Sequence, residues 1–242
     1  ATINTGATDD LDALATLCER EQLWFHVDGA IGALLALAPA HRHLVHGMER
    51  ADSVTLDLHK WLHIPFEAAC VLVRDRRAHR EAFALTPEYL EKTERGLASG
   101  ALWFSEYGLQ LSRGFRALKV WLSIKEHGLD RFGRLIDRNI AQAHELAALV
   151  QAEPDLELLA PVATNIVCFR YNPGGLSDEQ LNALNEELLI RLHESGIAAP
   201  SYTTLDGRYC LRAAIVNYRT TSADLPVLVG AVREIGASLP RP

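Results

Sequence analysis

Lysine is scarce in this chain. Of 24 basic residues only four are lysine, against twenty arginines, so each lysine invites a question about its placement. Cysteine is sparse as well: Cys18, Cys70, Cys168 and Cys210 are widely spaced and form no CxxC motif. Three of them (Cys70, Cys168 and Cys210) sit in apolar strand-like runs, where cysteine serves as a small buried hydrophobe, and the pattern predicts a reduced, cytosolic protein. Positive charge is outweighed, with a formal net charge of -7, which argues against the basic face of a nucleic-acid binder. The given residues show no signal-peptide pattern, and no apolar run among them is long enough to span a bilayer. Neither GxGxxG nor GxxxxGK[ST] occurs, and Ser105-Glu106 and Ser112-Arg113 lack a nucleophile-elbow pattern. There are no internal repeats and no low-complexity tract. An initial methionine is also missing. The chain opens at ATIN, which reads as the tail of a strand, so sequence lost upstream is the expectation.

What is present is ample apolar material, 48% of residues, enough for one large domain or one and a half smaller ones. Asp10 can cap a helix over Leu11 to Glu21. LWFHV, residues 23–27, reads as a strand ending at Asp28, and residues 29–37 as a loop entering a small-residue helix stopped by Pro39. Residues 53–59 and 68–73 are the next strands, and strand–helix–strand at this spacing predicts a parallel, doubly covered sheet. Residues 80–104 break the regularity with Thr86-Pro87, mixed charges and two glycines. Such a stretch inside an enzyme is usually a functional loop. A long helical region follows from about 107 to 150, broken near His127-Gly128. Strands at 156–159, 165–171 and 209–216, with helices at about 177–193 and 222–237, complete a smaller α+β unit. The predicted division is 1–125 and 126–242.

The stretch SVTLDLHKW carries the chemistry. It is a core strand that ends in Asp57, His59 and the scarce Lys60. In a parallel α/β sheet ligands bind at the carboxyl ends of strands, and Asp28 ends the strand one βαβ unit earlier. An acid and an amine facing one crevice can be a plain ion pair. They are also the minimum apparatus for pyridoxal phosphate, where the amine holds the aldehyde and the acid keeps the pyridine nitrogen protonated. From the pair alone the ion pair stands ahead.

The surrounding residues shift that balance. WFHVDGA followed by ADSVTLDLHKWL, then TPEYL, LSRGFRALKVWLSIKEHG and YCLRAAIVNYRTT, resembles the pyridoxal-phosphate decarboxylases of the aromatic-L-amino-acid and glutamate decarboxylase group. The likeness runs in order along almost the whole chain. It implies the α/β aminotransferase-type fold (fold type I): part of the large, mostly parallel-sheet domain followed by a small C-terminal α+β domain.

The resemblance implies roles residue by residue. Lys60 matches the Schiff-base lysine and Asp28 the acid at the pyridine nitrogen. Ala30 matches the small residue beneath the ring, and His59 the histidine near the phosphate. Asp57 neighbours that position, and Thr2 falls where the family has a threonine turn near the cofactor. Tyr89, in TPEYL, matches the loop tyrosine that protonates Cα after CO2 leaves by way of a quinonoid. Related aldehyde synthases carry phenylalanine there, so tyrosine favours plain decarboxylation. Arg212 interrupts the apolar strand CLRAAIV. It matches the small-domain arginine that anchors a substrate carboxylate, although a structural ion pair with a nearby acid would also explain it.

The implied activity is decarboxylation of an L-amino acid, aromatic first, to the amine and CO2, with pyridoxal 5'-phosphate as cofactor. An aldehyde synthase or other carbon–carbon lyase of the same fold, or a non-catalytic oligomer partner, is the alternative. The likeness begins mid-domain, without the phosphate-binding loop and the ring-stacking histidine. The implied partner is therefore a second subunit of a homodimer, or the upstream half. Weaker signals have bland explanations. His41, His43 and His46 read as a solvated helix face without a matched acid, and Trp61, Trp103 and Trp121 as core or interface aromatics.

Overall fold

The computed structural model describes residues 1–84, 95–96, 99 and 103–240. Within them the strands form two sheets. The first has the order β1-β2-β3, from β1 (His26–Asp28), β2 (Ser53–Asp57) and β3 (Ala69–Val73). The second has the order β4-β5-β7-β6, from β4 (Leu156–Leu158), β5 (Ile166–Tyr171), β6 (Ser201–Leu205) and β7 (Arg208–Ala214).

Helix α1 (Leu11–Glu21) starts as its sequence dictates: the Asp10 carboxylate accepts from the Ala13 N–H at 3.0 Å. β1 follows, and residues 29–52 then cross over to β2. They carry three short 3-10 turns, the first at Gly32–Leu37, where the small-residue pattern predicted an α-helix. A connection of that length permits parallel pairing, and β1 and β2 are parallel, with His26 opposite Ser53 and Asp28 opposite Thr55. β3 departs from expectation. Residues 58–68 hold no helix that could return the chain, so β3 pairs antiparallel to β2, with Asp57 opposite Ala69.

Helix α2 (Arg76–Phe83) extends into the stretch predicted as irregular. The long helical region is two helices, α3 (Arg116–His127) and α4 (Leu129–Ala152), separated at Gly128, whose φ is +74°. α4 presents one stripe at helical spacing to two cores in turn. Phe132, Ile136 and Ile140 pack with Leu35, Trp61 and Leu62, while Ala143, Leu146 and Val150 pack with β5 and β7 residues such as Val167 and Leu211. Trp61 is fully buried, and its indole N–H donates to Asn139 Oδ1 at 3.0 Å. Asn139 donates to Gln142 (3.2 Å) and Gln142 to the Thr220 carbonyl (2.7 Å), so a buried polar chain ties the segment after Lys60 to the loop after β7.

Helices α5 (Asp178–Ser195) and α6 (Asp224–Ser238) cover one face of the second sheet. α5 begins with a reciprocal capping box between Ser177 and Gln180 and ends at Gly196 with φ +71°. β6 had no advance signal: SYTTL is short and mostly exposed, and it forms the edge strand beside β7.

Gly133 in α4 shows how closely the two parts fit. A Cβ there would stand 2.0 Å from the Leu37 carbonyl oxygen, so backbone would have to move. Gly133→Ala is predicted to destabilise by about 1–3 kcal/mol. Gly230→Ala, on α6 with nothing within 4 Å of the new methyl, is predicted to be neutral or stabilising by up to about 1 kcal/mol. Thermal unfolding of the two variants checks the contrast.

Candidate active site

The parallel register brings the carboxyl ends of β1 and β2 side by side. Asp28 ends β1 level with Thr55, and its Oδ1 accepts from the Ala30 N–H at 3.1 Å and, at longer range, from the Thr55 hydroxyl at 3.5 Å. Gly29 is required by the close approach, because a Cβ there would stand 2.6 Å from Ala33 Cβ and 2.8 Å from the Thr55 carbonyl. The Asp57 N–H donates to the Ala30 carbonyl at 3.1 Å, stitching the two strand ends together. Beyond Asp57 the chain turns, with the Lys60 N–H donating to the Asp57 carbonyl at 3.0 Å. The Lys60 ammonium pairs with Asp57 Oδ2 at 2.6 Å, so the ion pair lies within the lysine's own turn and not with Asp28. Lys60 is exposed and Asp57 half-buried.

His59 is set by Ala68. The Ala68 carbonyl accepts the His59 backbone N–H at 3.1 Å, and the Ala68 N–H lies 3.1 Å from His59 Nδ1. His59 Nδ1 also lies 3.0 Å from the Ala68 carbonyl oxygen, so both polar groups of Ala68 hold the ring in place. Phe66 meets the ring edge-on at 5.0 Å. Three residues after Lys60, His63 holds a left-handed backbone (φ +58°), and its Nε2 is buried without a partner. Its ring meets Tyr218 edge-on at 5.6 Å, and burial pushes its pKa down.

Arg212 lies on β7. Its Nε donates to the carbonyls of Ile3 (2.8 Å) and Asn4 (3.2 Å), and its Nη1 to the Ser201 hydroxyl at 3.1 Å. Among the described residues no acid pairs with it, so the ion-pair explanation weighed from sequence has no partner there. Thr2 sits in the exposed N-terminal turn, where its hydroxyl accepts from the Ala7 N–H at 3.1 Å. Tyr89 lies outside the described residues. The elements flanking its stretch are tied together: Glu106, almost fully buried, takes two bonds from Arg80 at 2.9 and 3.0 Å, and Arg76 donates to the Tyr107 hydroxyl at 2.9 Å.

Two cavities border these residues. One of about 460 Å³ is lined by Arg212, Ser201 and Asn217, and one of about 140 Å³ lies against Asp28 and Gly29. Lys60 lines neither, so its amine stands on an open surface. Two of the three histidines predicted to lack matched acids do have them, from distant sequence: His41 pairs with Asp137 at 2.7 Å, and His46 with Asp12. Asp12, His46 and Glu49 cluster within 4.8 Å, but the group is largely exposed and Arg50 also binds Asp12, which makes it a surface charge network.

The profile described as "Pyridoxal-dependent decarboxylase conserved domain" matches residues 1–172. The chain belongs to the pyridoxal-dependent decarboxylase family. It is 39% identical over 225 residues to an aromatic-L-amino-acid decarboxylase of Bacillus atrophaeus, covering 93% of this chain and 47% of that protein. It is 32% identical to a phenylacetaldehyde synthase of Arabidopsis thaliana, covering 88% and 44%. Among solved structures, Oryza sativa TDC with PLP and tryptamine superposes with a TM-score of 0.89 at 26% identity, over 98% of this chain and 49% of that one. The fold is therefore that of the fold type I decarboxylases. The chain spans about half the length of the curated relatives it matches.

The cofactor of this family is pyridoxal phosphate, and the strand-end residues fit it chemically. Lys60 supplies an exposed primary amine. Asp28 supplies a carboxylate oriented by the Ala30 N–H. Sequence reasoning missed the Thr55 hydroxyl, the His63–Tyr218 contact and the Arg80–Glu106 tie. The HKWLH spacing was the available hint for His63. The other two depend on register and on residues far apart in the chain.

His63 gives a testable pH dependence. Its folded pKa lies below the ordinary 6.5, so the unfolded chain takes up the proton first as pH falls. The stability it contributes is complete above that value and is lost as pH drops through it toward the folded pKa. Between about pH 7.5 and 5.5 the melting temperature of the native chain is predicted to fall further than that of His63→Asn, which tolerates the same left-handed backbone. Equal falls would show that His63 is not the source.

Proposed function

We propose that this chain carries the lysine-bearing part of an L-amino-acid decarboxylase that releases CO2 and the amine, with aromatic amino acids as the first substrate class. The observation that carries the proposal is Lys60 beside the Asp28 strand end in a chain of this family. Bound there, pyridoxal phosphate supplies an electron sink that lowers the barrier to breaking the bond between Cα and the carboxylate.

The chain's own residues do the rest. Lys60 holds the cofactor aldehyde through its amine, and Asp57 keeps that amine oriented until it reacts. Asp28 would hold a proton on the pyridine nitrogen, because a carboxylate next to the ring nitrogen favours its protonated form. Ala30 would leave room for the cofactor ring, and Thr2 and His59 would border it. Arg212, with no acid of its own among the described residues, binds the substrate carboxylate through its planar fork. Tyr89 would return a proton to Cα once substrate is bound and water excluded.

The likeness to the Arabidopsis phenylacetaldehyde synthase keeps a second reaction in view. Tyr89, rather than phenylalanine, favours plain decarboxylation. A non-catalytic role in an oligomer is the third reading. The broad apolar surface from Phe104 to Leu122, with Leu109 93% and Phe115 75% exposed, suits burial against a second subunit or the other half of a full-length enzyme.

Borohydride reduction of the chain incubated with pyridoxal phosphate, followed by peptide mass spectrometry, tests the anchor without requiring activity. The pyridoxyl group is predicted on Lys60 and absent in Lys60→Ala. Label spread over other amines would overturn the assignment. In the full-length enzyme, product analysis is predicted to show CO2 and amine without ammonia or peroxide, and Tyr89→Phe is predicted to lower the amine yield at least tenfold.

A further inference from the structure

Three residues after Lys60 the chain adopts a strained shape that the proposed decarboxylation does not use. His63 is a non-glycine residue with φ +58°, and its Nε2 is buried with no hydrogen-bond partner among the described residues. A side chain keeps a left-handed backbone only where its surroundings over-determine it, and an orphaned buried nitrogen calls for a reason.

The His63 N–H donates to the Lys60 carbonyl at 3.2 Å, and the Lys60 N–H to the Asp57 carbonyl at 3.0 Å. Two successive turns therefore carry the chain from Asp57 to His63, with the lysine between them. The His63 ring meets Tyr218 edge-on, 5.6 Å between centroids, in the loop that follows β7. The buried chain from Trp61 through Asn139 and Gln142 reaches Thr220 in the same loop. The lysine turn is thus held to one loop at two residues, and of the two only His63 takes up a proton near neutral pH.

Its charged surroundings disfavour that proton. Tyr218 carries the Arg219 guanidinium over its ring at 5.5 Å, and its carbonyl accepts from Arg138 of α4. On the lysine turn itself Asp57 is taken by Lys60 at 2.6 Å, and the His59 ring is held by Ala68. Among the described residues no acid pairs with His63. An imidazolium there would point an Nε2–H into the interior without an acceptor, with two guanidinium groups gathered on Tyr218. Burial pushes the His63 pKa below the ordinary 6.5, which keeps the ring neutral at pH 7.

We propose that neutral His63 is a positioning residue for Lys60, holding the lysine turn against the loop after β7, and that protonation of His63 releases the turn and frees the amine from Asp57. The movement stands on this geometry alone. Its consequence for the cofactor, a lost alignment on the acid side of neutrality, rests on Lys60 being the anchor proposed above.

The test is pulse acetylation of the folded chain between about pH 5.5 and 8, read by peptide mass spectrometry as the ratio of label on Lys60 to label on Lys125. Lys125, on α3 over the Trp121 ring at 6.0 Å, is the internal reference for amine ionisation. An ammonium held by Asp57 reacts more slowly than a free one, so the native ratio is expected to be flat above about pH 7 and to rise about threefold or more by about pH 5.5. The midpoint is expected to coincide with the His63 ring titration followed by histidine NMR. In His63→Asn, which tolerates the left-handed backbone and takes up no proton, the step is expected to vanish. Circular dichroism establishes that the variant is folded, and the native profile needs no variant. A flat native ratio across the His63 titration overturns the proposal. So does a step that survives in His63→Asn, which would assign it to another group such as His59. Borohydride trapping with pyridoxal phosphate over the same range separates this proposal from the anchor reading. Pyridoxyl on Lys60 that declines along the His63 titration supports both, whereas the acetylation step without pyridoxyl on Lys60 at any pH supports the positioning role and removes the anchor.

Discussion

The parallel pairing of β1 with β2 is the constraint on which the site depends. Because Asp28 sits opposite Thr55, the Asp28-Gly29-Ala30 turn and the Asp57-to-Lys60 turn emerge at the same end of the sheet. A slip of one residue would turn Asp28 to the other face and break the Ala30–Asp57 backbone bond that joins the strand ends. Gly29 is the sequence's concession to this closeness, since any side chain there would strike the Thr55 carbonyl.

What holds the lysine turn in place is buried polar chemistry as much as apolar packing. Trp61, the residue after Lys60, is fully buried and donates to Asn139 on α4. That helix also packs on the second sheet, and Gln142 continues the chain of bonds to Thr220. Lys60 is therefore exposed and chemically available while its neighbour is fixed. His63 adds a second contact, against Tyr218, from the same direction.

Much of this was legible in the sequence because it is local. Asp10 and Ser177 cap helices where their spacing says they should, and the apolar spacing of α4 reads directly as a buried stripe. Lys60 stood out because lysine is rare here and closes an apolar run. Non-local features stayed hidden. β3 runs antiparallel because the connection before it is too short for a crossover helix, a property of geometry and not of the strand's own residues. β6 is an exposed edge strand without a strong apolar pattern. The acids paired with His41 and His46 come from α4 and α1. The Asp57 partner of Lys60 was in plain view three residues away, yet strand-end reasoning drew attention to Asp28.

If the paired strand ends cradle the cofactor as proposed, Asp28 governs the ring nitrogen. The most direct measurement is the nitrogen-15 chemical shift of ring-labelled pyridoxal phosphate bound to the native chain and to Asp28→Asn. A protonated ring nitrogen in the native chain that loses its proton in Asp28→Asn is the predicted result. The same shift in both proteins would show that Asp28 does not govern the ring nitrogen.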